Sequence, residues 1–293
     1  MNDEKFMNAI KQLQIGEITE KEIYLKISKS IKDEKNRKIL LKIADEEQKH
    51  HDIWKEYTNV NVKPSKVKVV YYTVISKILG YTFAIKKMEK RKNLYALDEE
   101  LNERLLKEIP KSAEVLGDEA IHEQELISII DEERLQYVGS IVLGLNDALV
   151  EFTGSLAGYT YAMQNNKLIS LVGLITGISA TLSMASSEYL SSRSEGDEKP
   201  LRSAAYTGVA YLVTVIILVL PYLLLPDHMY SLALGIMLVL VISIIAAFNY
   251  YIAVAKDLSF KKRFGEMAGI SLSVALLSFI IGLVVKKFLG VDI

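Results

Sequence analysis

The chain has no cysteine at all. That excludes disulfides, zinc ribbons, thiolate chemistry and a rubredoxin-type electron-transfer module. Neither sign of charge is in surplus, since 35 Lys and Arg stand against 36 Asp and Glu for a formal net charge of −1. With no basic excess to meet a phosphate backbone, a nucleic-acid partner is not expected. The N-terminus is acidic and polar, without a basic-then-apolar leader, so the first domain is expected to stay in the cytosol. Histidine is scarce as well, with four residues in 293.

What is present is unevenly placed. A length of 293 residues accommodates two domains. Residues 1–135 are rich in Lys and Glu, whereas residues 136–293 carry long apolar runs. The second half accounts for a positive mean hydropathy of +0.20 in a chain that is 24% charged.

Two of the four histidines close Glu-x-x-His tetrads, Glu47-Gln48-Lys49-His50 and Glu119-Ala120-Ile121-His122, which stand 72 residues apart. On a helix, residues i and i+3 share a face, so each tetrad aims a carboxylate and an imidazole at one point. Two such helices facing each other in a four-helix bundle build a carboxylate-bridged two-metal site, given one more Glu from each remaining helix. The register supplies them. Glu17 precedes Glu47 by 30 residues and Glu89 precedes Glu119 by 30, so Glu17/Glu47/His50 repeats as Glu89/Glu119/His122. Glu20, one turn after Glu17, is a further candidate ligand, although its counterpart in the repeat is Lys92. Oxygen and imidazole donors without sulfur suit iron or manganese, two ions per domain. Tyr24 and Trp54 are placed to orient ligands. His51 and His228 read as surface residues.

The predicted frame of this domain is a helical hairpin over 4–58 with its turn at Lys32-Asp33-Glu34-Lys35, then a long helix from Val67 to Tyr95. A fourth helix runs from Ser112 to Glu133, after Pro110. Glu17 and His50 fall at similar heights on the two antiparallel arms, about 16 and 17 residues from the turn. The segment from Val69 to Ile85 is apolar except for Lys77. It is marginal as a membrane span and reads as a bundle helix, with one face available to the bilayer surface.

From Tyr137 onward, five spans are predicted near 137–163, 168–190, 205–225, 232–255 and 264–285. Arg193, Lys199 and Arg202 follow the second span, and Lys256, Lys261, Lys262 and Arg263 follow the fourth, whereas the opposite loops hold only Lys167. This asymmetry places the N-terminal domain and both basic loops in the cytosol and the C-terminus outside, with Lys286 and Lys287 as a mild exception. Carboxylates within spans are costly and mark function. Asp147 and Glu151 are four residues apart in the first span, as are Met184 and Glu188 in the second, while Glu266 begins the fifth. Carboxylate with thioether sulfur suits a path for a divalent transition metal. Gly139, Gly144, Gly154, Gly158, Gly173 and Gly177 fit close helix packing, and one of those faces is available to a homodimer.

Residues 144–151 (Gly-Leu-Asn-Asp-Ala-Leu-Val-Glu) and 183–191 (Ser-Met-Ala-Ser-Ser-Glu-Tyr-Leu-Ser) resemble the first two spans of the vacuolar iron transporter family. Ala148 replaces the second Gly of that family's Gly-Leu-x-Asp-Gly motif, and Ser187 precedes Glu188 where the family has Gly; neither change removes a carboxylate. The N-terminal part is similar to rubrerythrin-like, ferritin-like domains. The whole resembles the membrane-bound ferritin architecture, an all-α ferritin-like bundle (1–135) followed by a five-helix transmembrane domain (136–293). The resemblance implies export of Fe(II) or Mn(II) from the cytosol against counterflowing protons, by a homodimer in the cell membrane, with Asp147, Met184 and Glu188 lining the path. Glu151 is added on helical adjacency alone. The family's cytosolic metal-binding extension between spans two and three is replaced here by the short segment Ser191 to Ser203. The competing expectation is a membrane-anchored di-iron ferroxidase or peroxidase whose spans are only an anchor.

Overall fold

The computed structural model describes residues 2–95, 99–128, 137–256 and 258–289. Every regular element among them is helical, and the chain divides into two compact units, Met1–Leu135 and Gln136–Ile293.

The first unit opens with α1 (Asp3–Ser28), capped where the Asn2 side chain accepts a hydrogen bond from the Lys5 amide. Asp33 caps α2 (Glu34–Thr58) in the same way through the Asn36 amide. The two helices pack along their length as an antiparallel hairpin. The predicted long third helix is instead two, α3 (Lys66–Leu79) and α4 (Tyr81–Tyr95), divided at Gly80. Gly80 has φ 96°, which a residue with a Cβ rarely adopts, so the chain turns where a continuous helix was expected. A short helix, α5 (Glu99–Glu108), was not anticipated; Leu105 is buried and Ile109 just beyond it as well. α6 (Ser112–Ser128) begins where predicted, and the predicted end at Glu133 lies outside the described residues.

Two apolar clusters hold this unit. One gathers Ile23, Tyr24, Ile27, Leu40, Ile43 and Leu126 with residues of α3 and α4. The other gathers Phe6, Ile10, Trp54, Leu105, Ile109 and Val115. Along α1, α2 and α6 alike, the residues between those clusters include buried ionisable ones: Glu17, Glu47 with His50, and His122. A charged layer is thus clamped between two dry ones.

In the second unit, α7 (Val138–Asp147), a π-turn (Ala148–Phe152) and α8 (Thr153–Met163) follow one another without a break. Four longer helices come next: α9 (Asn166–Ser194), α10 (Pro200–Leu224), α11 (Tyr230–Ala255) and α12 (Phe260–Leu289). All four are long and apolar enough to cross a membrane. The core of the unit runs through Leu149, Phe152, Tyr211, Val215, Leu218 and Met237. The expected close packing at glycine occurs within one chain. A Cβ on Gly144 would overlap the Thr207 carbonyl of α10, and one on Gly177 would overlap Val215. Gly154 and Gly158 face Ser278 of α12, and Gly173 faces Leu156. Of the six glycines considered for a dimer face, only Gly139 has nothing within 4 Å.

Gly144→Val is therefore expected to lower the melting temperature in detergent, by a destabilisation of roughly 1–3 kcal/mol typical of overpacking, while Gly139→Ala leaves it unchanged. Equal melting of the two variants would contradict the close α7–α10 approach.

Candidate metal centre

α2 and α6 bring their tetrads together. One ligand atom from each of Glu47, His50, Glu119 and His122 lies within 4.8 Å of all the others. A second group under the same limit joins Glu17, Glu20 and Glu47. Glu47 belongs to both groups and is 1% exposed. Helical geometry explains the convergence, since i and i+3 on α2 and on α6 project the same way, and α1 adds Glu17 and Glu20 from one turn of its own. Glu89 lies outside both groups. It accepts a hydrogen bond from the Tyr24 hydroxyl at 2.8 Å. The repeat is thus unequal, with α1 contributing two carboxylates to the groups where α4 contributes none.

The imidazoles are held by residues that the tetrads alone did not point to. His50 Nε2 lies 3.2 Å from Asp118 Oδ2, and His122 Nε2 lies 2.9 Å from Glu46 Oε2. Each acid immediately precedes the tetrad of the opposite helix, so the working motif is acid-Glu-x-x-His and the two copies brace each other crosswise. With Nε2 donating to a carboxylate, each Nδ1 points inward, where its lone pair becomes available once its proton leaves. Both Nδ1 atoms are buried without a hydrogen bond. His50 Nδ1 faces Glu47 Oε2 and Glu119 Oε1, each at 3.7 Å, and His122 Nδ1 faces Glu47 Oε1 at 3.5 Å. Buried acceptors separated by such gaps fit a cation between them.

The surrounding residues tighten this frame. Trp54 Nε1 donates to Glu17 Oε1 at 3.0 Å. Burial, then the carboxylates of Glu89, Glu20 and Glu47, raise the Tyr24 phenol well above its ordinary value, so it remains a donor to Glu89. His51, expected at the surface, is buried: its ring meets Gln14, Gln48 and Asp52 at 3.3, 3.3 and 2.9 Å. Gln14 in turn donates to the Val60 carbonyl, so this histidine ties α1 to the segment after α2. His228 is exposed, as expected.

Electrostatics favours cations here. Burial opposes charge on His50, but Glu119, Glu47 and Asp118 outweigh it and raise its pKa to about 10. At His122 burial again works against the charge, and Glu47, Glu119 and Glu46 raise the pKa nonetheless. Protonation of the imidazoles offsets part of the surrounding carboxylate charge. An ion binding at Nδ1 competes with a proton there, so its affinity falls as the pH falls.

The intramembrane candidates are less concentrated. Asp147 ends α7, and the π-turn begins at the next residue; such turns recur at functional sites. Asp147 and Glu151 face each other across it, and Asp147 Oδ2 is buried without a hydrogen bond. Glu188 of α9 accepts from Ser140 Oγ of α7 at 2.7 Å. Met184 is half-buried against the apolar core one turn earlier, and Glu266 is exposed. Among the described residues, no group of three acidic or histidine donors converges in this unit.

A sequence model of the VIT (vacuolar iron transporter) family matches residues 138–199, the segment from α7 through α9. No curated protein and no solved structure matches the chain. The matched segment and the four long apolar helices mark the second unit as a membrane domain.

Asp118→Asn and Glu46→Gln are each expected to weaken Mn2+ binding roughly 10–100-fold. The same calorimetric titration should show wild-type affinity rising with pH and protons released on binding. Unchanged affinity in both variants would remove the cross-helix acids from the site.

Proposed function

We propose that the protein exports Fe2+ or Mn2+ from the cytosol in exchange for protons, with the first unit acting as a ferritin-like metal-capture domain. The observation that carries this reading is a buried Glu/His layer on the same chain as a VIT-like segment that contains Asp147 and Glu188. Glu47, His50, Glu119 and His122 hold one ion and Glu17, Glu20 and Glu47 a second, with Glu89 beside them on Tyr24. Residues 138–163 form the first of five spans, its helical turns continuous through the π-turn. The basic loops after α9 and α11 then lie in the cytosol with the first unit, and the C-terminus lies outside.

In the membrane, Asp147, Glu151, Met184 and Glu188 carry the exchange. Two facing carboxylates repel when both are ionised, and either a proton or a divalent cation relieves that repulsion. Metal arriving from the cytosol displaces protons, and protons entering from outside release it. The protein acts as a homodimer in the cell membrane.

A second reading keeps the metal layer and reduces the spans to an anchor, giving a membrane-bound ferroxidase. The sharing of Glu47 between two donor groups favours it, because paired ions suit electron exchange with O₂ or peroxide. Proteoliposomes with a pH gradient and an internal metal-quenched dye separate the two readings. The transporter reading predicts Fe2+ or Mn2+ uptake with matching proton movement, abolished by Asp147→Ala. Uptake by Asp147→Ala at the wild-type rate would overturn the exchange role, and a flat trace from metal-loaded wild type would leave the ferroxidase.

A further inference from the structure

α3 has two apolar faces. Val69, Tyr72 and Ser76 point into the bundle and are buried. Val67, Val70, Tyr71, Val74 and Ile78 are 80%, 57%, 43%, 47% and 65% exposed. At about 100° per residue these five fall within one stripe roughly 100° wide, opposite the buried face. Lys66 and Lys77 flank the stripe on one side and Lys68 on the other, all three exposed. From Lys63 to Met88 the chain holds six lysines and no Asp or Glu.

We infer that α3 lies on the membrane surface, its outer stripe in the headgroup region of an anionic leaflet. Lysines at both margins of an apolar stripe are placed to lay their stems along it and keep their ammonium groups among lipid phosphates. An acid-free segment meets an anionic surface without internal competition. Charge also decides against a second copy of this chain: α3 paired face to face would set rows of lysines opposite one another with no acid within the segment to neutralise them. The surface is at hand, because the membrane unit follows on the same chain. The inference rests only on that unit spanning a bilayer, not on transport or metal chemistry. Docking of this face would give the first unit a lipid contact besides the connecting chain.

The absence of native cysteine makes the test direct. The full chain carrying Val74→Cys, labelled with NBD, is reconstituted in vesicles of phosphatidylcholine and phosphatidylglycerol, with or without brominated acyl chains. Lys38→Cys on α2, a position 73% exposed, serves as the control. Emission from position 74 is expected to shift to the blue and be quenched by bromolipid, whereas position 38 does neither. Replacing Lys66, Lys68 and Lys77 with Glu should abolish the quenching at position 74. Equal behaviour of positions 74 and 38 would overturn the inference. So would excimer emission from a pyrene label at position 74 without bromolipid quenching, which would assign the face to a second copy.

Discussion

The first unit depends on a layer of charge whose centre is largely withdrawn from solvent. Glu47, His50 and His122 are almost completely buried, Glu17 nearly so, and apolar clusters close the layer above and below. Isolated charges in such a place cost several kcal/mol each, so the layer survives only through mutual pairing. Crosswise bracing supplies part of it, with Asp118 on His50 and Glu46 on His122. The inward Nδ1 atoms remain without hydrogen bonds, and the facing carboxylates sit 3.5–3.7 Å away. These groups could hold a metal ion, and without one they pair as imidazole and carboxylate across α2 and α6.

The membrane unit meets the same difficulty in a harsher solvent. Its helices approach closely at Gly144 and Gly177, and Thr207 Oγ1 donates to the Ser140 carbonyl across α7 and α10. This contact fixes the helix that bears Ser140, the donor to Glu188, and Asp147. The π-turn after Asp147 alters the hydrogen-bond ladder in the stretch that holds Glu151. Tyr211 of α10, fully buried, has an unpaired hydroxyl within electrostatic reach of both acids. The unit thus places polar groups from three helices along α7 and the π-turn.

Much of this was legible in the sequence because helical registers are local. The tetrads specified their own convergence, and the hairpin of α1 and α2 followed from apolar spacing. What escaped notice depended on tertiary pairing or on a single backbone angle. Gly80 looks like a tolerated helix residue until its positive φ divides the predicted helix. Asp118 and Glu46 were visible as acids before each tetrad, but their role requires the opposite helix. His51 was assigned to the surface, yet Gln14, 37 positions earlier, packs against its ring. The 30-residue register favoured Glu89 over Glu20; Glu20 groups with Glu17 and Glu47, while Glu89 accepts a hydrogen bond from Tyr24.

The central claim is that the buried layer holds metal, and anomalous X-ray scattering from the protein loaded with Mn2+ tests it most directly. The account predicts one peak among Glu47, His50, Glu119 and His122 and a second beside Glu17 and Glu20, with Glu47 touching both. Crystals that show manganese only at surface acids, with the layer closed by the His and Glu side chains alone, would contradict it.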